Sequence, residues 1–249
     1  NEQILYFLSK NYNHPDRFKK STVKVESEEK KENIGISNSE RIYRELMGLY
    51  MVGHREITLK SNKRITVKIK KIVEDFISNI NGIRITGETE NSIELLSYIE
   101  PKQLEIQRIM ERIKLLLISM CKDALESLIN GDEELADLVI ISDDEINKLS
   151  RQIYHIAGSA FQLPKVPEYL KEKLIEDFSD ISIKQSICYI VHSINLENFG
   201  DFAKLFAKNV KKLITNKEDQ ISEKHINFLK TMVDNTLEIL KLALDSWRE

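Results

Sequence analysis

Helical periodicity across residues 100–249 is the feature that most limits the folds open to this chain. Over that stretch apolar side chains recur every three or four residues, which is the spacing of one face of an α-helix. Asn130–Gly131 and the proline pair within Gln162–Pro167 mark the clearest stops. We predict four helices, the third with a break near Asp180, that end near Asn130, Ala160, Thr215 and Trp247. Because long helices joined by short turns pack against one another, residues 98–249 are predicted to form an antiparallel bundle.

The segment before residue 98 has a different pattern. Ser21–Ser27 alternates apolar and polar side chains with period two, as a half-buried strand does. The other predicted elements are a helix from Ser39 to Val52, a strand at Glu56–Lys60, a helix from Thr66 to Ile80, and a hairpin of Ile83–Thr86 with Ile93–Ile99. This order is typical of a small α/β domain, predicted for residues 21–97 after a tail at residues 1–20. The predicted fold class is therefore α+β, a small N-terminal α/β domain followed by a long-helix antiparallel bundle.

Charge and hydropathy exclude several classes of protein. The chain has 37 basic and 40 acidic residues, a formal net charge of −3, so no overall field attracts nucleic acid or anionic lipid. No apolar run approaches the roughly 18 residues of a membrane-spanning helix, and we expect a cytoplasmic protein without membrane insertion. The locally basic segment Lys60–Lys71 could contact phosphate backbones. It has no interleaved aromatic residues, however, and a solvated helix face is the simpler interpretation.

Two carboxylates fall where the third helix is predicted to face the bundle core. Glu197 and Asp201 are four residues apart and therefore lie on the same face of a helix. Gly200, between them, lets another helix approach closely because it has no side chain. The apolar residues of this predicted inward face are Ile183, Ile187, Ile190, Ile194 and Leu205.

The second helix repeats the arrangement. Asp143 and Asn147 are again four residues apart, with the small residues Ala136 and Ser150 as neighbours on the same face. The predicted inward arc around them consists of Val139, Ile140, Ile146 and Tyr154. Polar groups therefore occupy the predicted core side of both helices.

Unpaired carboxylates in a dry helical core cost on the order of several kcal/mol each, so something must compensate them. One interpretation is a bound cation, since carboxylates on facing helices are the groups with which helical bundles hold hard metals. The candidate ligands are then Asp143, Asn147, Glu197 and Asp201. The other interpretation places these groups at the edge of the bundle, where water, lysines or a second copy of the chain satisfy them.

No catalytic motif stands out. The sequence contains no GxGxxG, P-loop, GxSxG or HExxH motif. No histidine pairs with another histidine or a cysteine at metal-ligand spacing, and each is expected to be solvated or to make a single hydrogen bond. The five histidines are His14, His54, His155, His192 and His225. The motifs therefore predict no catalytic residues.

Two segments carry a family resemblance. Residues 131–147, which end in Asp143 and Asn147, resemble the hallmark segment of PhoU-type phosphate-uptake regulators, in which a small turn precedes a helix with a D-x-x-x-N/D element. Leu196–Ala203 resembles the family's second element, L-E-R-I-G-D-H-A, in the following helix. The resemblance covers residues 98–249. More weakly, residues 39–97 look like the domain that precedes the bundle in archaeal members.

The resemblance implies a non-enzymatic regulator of phosphate homeostasis, built from three-helix bundles and usually dimeric. The implied partners are a phosphate ABC transporter and a sensor kinase at the inner surface of the membrane or, in archaea, a transcriptional target. The acidic elements of the family bind clusters of iron, zinc or nickel, and they correspond here to Asp143 with Asn147 and to Glu197 with Asp201. This chain departs from the pattern in having Asn198 in place of arginine, Phe202 in place of histidine, and an amide at Asn147 where a carboxylate is common.

Two further interpretations stay open. Some archaeal relatives place a swapped-hairpin DNA-binding module of the AbrB/SpoVT type before the α/β segment, and Ile4–Lys10 is predicted to be its last strand. A transcriptional regulator would then use DNA-binding residues upstream of this sequence, which begins with Asn rather than Met. A metal-dependent carboxylate-bundle enzyme is the other alternative. It would require an i, i+3 Glu–His pair or more inward carboxylates than the sequence offers.

Overall fold

The computed structural model describes residues 20–25, 38–99, 102–161, 181–216 and 222–245. Within these residues the chain forms four strands and six helices, numbered here in chain order. The strands are β1 (Lys20–Val25), β2 (Glu56–Ser61), β3 (Ile83–Glu88) and β4 (Ser92–Ser97). The helices are α1 (Asn38–Met51), α2 (Val67–Ser78), α3 (Gln103–Asn130), α4 (Glu133–Ser159), α5 (Ile183–Thr215) and α6 (Glu223–Asp245). None of the helices in the described ranges has the length and apolar character needed to cross a membrane.

The predicted α+β fold class is confirmed: a small sheet with two helices precedes long helices. Some predictions fall outside the described residues, namely the strand at Ile4–Lys10, the turn at Gln162–Pro167, the break near Asp180 and the helix end at Trp247. The chain divides into two compact units. Unit 1 contains residues 1–106 and 151–190, and unit 2 contains residues 107–150 and 191–249. The boundaries between the units fall within α3, α4 and α5, so each of these helices contributes to both units. The predicted boundary at residue 97 lies instead between the last strand and the long helices, and it stays a prediction.

Unit 1 is built around a four-stranded sheet in the order β1-β2-β4-β3. β1 pairs in parallel with β2, because α1 lies between them in sequence and returns the chain to the same end of the sheet. The other two pairings are antiparallel, with Ile57 opposite Leu95 and Ile83 opposite Ser97. Ile57, Leu59, Ile93 and Leu95 are all buried, as the period-two alternation of β2 and β4 requires.

The backbones of α1 and α4 meet in unit 1 without side chains between them. A Cβ atom at Gly158 would lie 2.5 Å from the carbonyl oxygen of Met51. One at Gly53 would lie 2.4 Å from the backbone nitrogen of Ser159, and Gly53 also has a φ of +85°, which favours glycine. This end of α4 can therefore approach α1 only through glycine.

His155 sits beside that contact and was not predicted. Its Nδ1 lies 2.7 Å from the carbonyl oxygen of Tyr50, its Nε2 lies 2.8 Å from Ser97 Oγ, and its ring stacks on the Tyr50 ring at 4.4 Å. A carbonyl oxygen only accepts, so Nδ1 donates to Tyr50 and Nε2 accepts the Ser97 hydroxyl proton. The expectation of a solvated or singly bonded histidine is wrong for His155. Burial favours the neutral form of the His155 ring and lowers the pKa of this histidine to about 4.

In unit 2, polar pairs join α4 to α5 in antiparallel order. Lys204 Nζ lies 2.6 Å from Asp143 Oδ2, Lys211 Nζ lies 2.6 Å from Asp137 Oδ2, and Thr215 Oγ1 lies 3.3 Å from Glu133 Oε1. As the residue number rises along α5 it falls along α4, so the two helices run in opposite directions. Further ion pairs within unit 2 are Arg112–Glu145 between α3 and α4, and Lys114–Asp245 between α3 and α6.

The predicted inward face of α5 is wrong for Ile183, Ile187 and Leu205, which are exposed. The other two apolar residues of that face, Ile190 and Ile194, are half-buried. The buried residues of α5 are instead Ser186, Tyr189, Ser193, Leu196, Gly200, Ala203, Ala207 and Val210. Apolar residues occur on both faces of this helix, and close packing selects the face with the smaller side chains because it brings the neighbouring helices nearer. On α4, by contrast, the predicted inward residues Val139, Ile146 and Tyr154 are buried.

Candidate functional site

Asp143 is the most unusual residue of unit 2, because it is a carboxylate only 1% exposed. It lies on the inward side of α4, as predicted, one helical turn from Val139 and Asn147. An isolated carboxylate so deep would be costly, and its partners therefore decide what this site can do.

Two donors converge on one oxygen of Asp143. Lys204 Nζ donates to Oδ2 across 2.6 Å, and Asn147 Nδ2 donates to the same oxygen across 3.0 Å. The second oxygen, Oδ1, is buried and has no hydrogen-bond donor among the residues that the structure describes. The Asp143 carboxylate is thus neutralised through one oxygen while the other faces the neighbouring helix.

Gly200 of α5 lies opposite Asp143 in this arrangement. A Cβ atom at Gly200 would lie 3.4 Å from Asp143 Oδ1 and 3.1 Å from Ile146 Cδ1. The expectation that Gly200 lets another helix approach closely is confirmed, and the approaching helix is α4. Lys204, one turn further along α5 from Gly200, lies on the same face of that helix and pairs with the Asp143 carboxylate.

Lys204 is held in its charged form. The hydrogen bond to Asp143 raises the pKa of the Lys204 ammonium above its ordinary value, against the opposing effect of burial. The charges of Asp143, Asp144 and Asp201 raise that pKa further. One ammonium group is therefore stabilised in its charged form by several neighbouring aspartates.

The four predicted metal ligands do not all meet at one point. Asp143 and Asn147 are hydrogen-bonded to each other, whereas Glu197 is half-buried and Asp201 is exposed, so the predicted inward orientation of Asp201 is wrong. Within the described ranges there is no group of three or more His, Cys, Asp or Glu residues that could hold a metal ion. Since Lys204 already balances Asp143, these residues fit a bound metal poorly. The metal site and its iron, zinc or nickel stay a prediction.

Comparison with protein families decides what kind of domain this is. The family model described as PhoU domain matches residues 110–210. The chain contains a PhoU domain. The match begins in α3, takes in all of α4 and ends near the carboxyl end of α5, so Asp143, Gly200 and Lys204 all belong to it. No curated protein and no solved structure matches the chain.

The PhoU domain is a regulatory rather than a catalytic module, and it indicates a general role in phosphate homeostasis. The family resemblance drawn from the two acidic segments is thus confirmed. The archaeal type, the upstream AbrB/SpoVT module and the dimeric state stay predictions.

Lys204 is the residue of this PhoU domain that sequence reasoning missed. A signal for it was present, because Lys204 follows Gly200 by four residues and so shares its helix face. Any cation on that face would be drawn to the buried carboxylate of the helix that Gly200 admits. Lys211, two turns further along, makes the corresponding pair with Asp137, although that pair is more exposed.

The solvent side of α4 and α5 in the PhoU domain carries large apolar side chains. Phe202 is 70% exposed and Ile141 is 63% exposed. Each lies two residues, or 200° of helical rotation, from a residue of the α4–α5 contact, Gly200 or Asp143, and so points away from the interior. Because the two helices meet along these contacts, their outward sides point away from each other. We call the outward side of α5, with Phe202 and Leu205, the Phe202 face, and Leu138 and Ile141 lie on the outward side of α4.

Proposed function

We propose that the chain regulates phosphate uptake by binding a phosphate ABC transporter through the Phe202 face of its PhoU domain. The match of residues 110–210 to the PhoU family supports the process, and the exposed apolar face supports the mode of action. Regulation then depends on protein contact and not on chemistry performed by this chain. It takes place in the cytoplasm, at the inner membrane surface where the transporter lies. A sensor kinase is the alternative partner.

The exposure of the Phe202 face is the observation that carries this proposal. Single exposed apolar residues are common on soluble proteins, but two large apolar side chains one turn apart on the same helix face form a patch that is typical of an interaction surface. Exposed phenylalanine and leucine side chains supply the apolar centre of such surfaces. The exposed carboxylate of Asp201 adjoins Phe202 on α5, so the matching partner surface is apolar with lysine or arginine at its rim.

Truncating the Phe202 face should release the partner. We expect the double variant Phe202→Ala/Leu205→Ala to bind the purified transporter at least about tenfold more weakly, because both side chains lose their apolar burial. Binding to the transporter in lipid nanodiscs measures the affinity, and phosphate uptake by cells that lack the gene and carry each variant measures the function. The matched control is Phe228→Ala/Met232→Ala on α6, where Phe228 is 64% exposed and Met232 is 50% exposed.

Equal affinities for the two double variants would contradict the proposed face. A second copy of the chain is the competing occupant, since a homodimer is also predicted. Light scattering separates the two, because loss of a dimer in Phe202→Ala/Leu205→Ala without loss of transporter binding assigns the face to self-association. The transcriptional alternative is decided separately, by whether residues upstream of Asn1 form a DNA-binding module.

A further inference from the structure

We infer that Lys204 is a built-in counter-ion that makes the α4–α5 contact of this PhoU domain independent of any bound metal. The inference concerns residues of this chain alone and does not depend on the proposed partner. It assigns to a covalently attached ammonium group the role that a metal cation was predicted to fill.

The geometry of Asp143 supports this assignment first. Asp143 is 1% exposed and its Oδ2 accepts from both Lys204 Nζ and Asn147 Nδ2. The Lys204 side chain is 24% exposed, so the carboxylate is shielded from water while the ammonium group lies near the edge of the contact. A charged hydrogen bond of 2.6 Å in such surroundings is among the strong ones.

Lys204 also stands where a metal would have to be. A divalent ion on Asp143 Oδ2 would displace two donors and would place its charge against the fixed ammonium of Lys204. An ion on Oδ1 would need a distance of about 2.0–2.2 Å and further ligands. Gly200, which lies opposite Oδ1, has no side chain that could complete such a site, and no group of three or more His, Cys, Asp or Glu residues in the described part of the chain could hold a metal ion.

The consequence is that the α4–α5 contact stays formed whatever the metal supply. The lysine cannot dissociate or be removed by a chelator, whereas a metal can. The exposed acidic residues Asp144 and Asp201 then remain part of the outer surface of the domain.

The experiment compares the full chain with three variants. We expect wild-type protein, with or without chelator treatment, to contain no stoichiometric iron, zinc, nickel or manganese and to unfold at the same temperature in both cases. Lys204→Met should lower the unfolding temperature by about 10 °C, because it leaves Asp143 buried and unpaired. Lys211→Met is the matched control, since it removes an equally short but exposed ion pair on the same helix, and it should lower that temperature by about 2 °C or less.

A double variant keeps the test decisive if Lys204→Met does not fold. Asp143→Asn/Lys204→Met removes both charges, and we expect it to fold without metal and to regain most of the lost unfolding temperature. One equivalent of metal in wild-type protein, lost in Asp143→Asn, would overturn the inference. Equal effects of Lys204→Met and Lys211→Met would overturn it as well.

Discussion

Replacing Gly158 by alanine should destabilise the protein by about 3 kcal/mol or more. A Cβ atom there would lie 2.5 Å from the carbonyl oxygen of Met51 and 2.8 and 2.9 Å from backbone atoms of Val52. These neighbours are backbone atoms that no rotamer change can move aside, so either α1 or α4 must shift. Overpacking of this kind costs typically about 1–3 kcal/mol and more where backbones collide, which outweighs the gain of about 1 kcal/mol from replacing a helical glycine. Denaturant unfolding followed by circular dichroism measures the loss.

Gly200→Ala is the matched control for that variant, because both glycines lie within helices. Its new Cβ would meet the Cδ1 methyl of Ile146 at 3.1 Å, the free end of a side chain that can rotate. The cost of that adjustment and the helical gain nearly cancel, and stability should stay within about 1 kcal/mol of wild type. If both variants lose the same stability, backbone contact at Gly158 is not the cause.

Acid should destabilise the protein through His155, with a loss of about 3 kcal/mol as the pH falls from 7 to 4. The pKa of this histidine is lowered in the folded state to about 4, from 6.5 in the unfolded chain, because the ring is buried. Between pH 6.5 and about 4, the His155 ring is therefore protonated in the unfolded chain and neutral in the folded chain. The free energy of unfolding is therefore unaffected by His155 above pH 6.5, and it falls as the pH decreases towards 4. Urea unfolding measured at about pH 7 and about pH 4.5 gives the difference.

His155→Gln removes the titrating group and should flatten this pH dependence. At neutral pH it should also cost about 1–3 kcal/mol, since the hydrogen bonds to the Tyr50 carbonyl and the Ser97 hydroxyl are lost or weakened. The same exchange at His225, an exposed histidine on α6, controls for the chemistry of the substitution and should leave the slope as in wild type. A slope unchanged in His155→Gln would show that another group controls the acid response.

How far the sequence predicts this protein differs from one element to the next. The positions of the strands and the buried residues Val139, Ile146 and Tyr154 of α4 follow from local periodicity. On α5 local periodicity does not identify the buried face, because the exposed residues Ile183, Ile187 and Leu205 form an apolar stripe as regular as the buried one. Choosing between two such stripes depends on the shape of the neighbouring helices, which no local pattern contains.

The site was predictable in part for a related reason. Asp143 was identified because a carboxylate within an apolar arc is visible in sequence, and Gly200 because glycine inside a helix indicates a close approach. Their partners were not identified, because Lys204 lies 61 residues from Asp143 and His155 lies 105 residues from Tyr50. Spacing rules act within one helix or strand, and these contacts join different elements.

The meeting of α1 with α4 has a use beyond this molecule. Tyr50 precedes Gly53 by three residues, and His155 precedes Gly158 by three, so each ring lies about one turn before a glycine at which the backbones touch. A chain with Y-x-x-G at the end of its first helix and H-x-x-G near the end of a PhoU hallmark helix should join those helices in the same way. These two short signatures, used together, give a search pattern for distant relatives that depends on geometry and needs little overall identity.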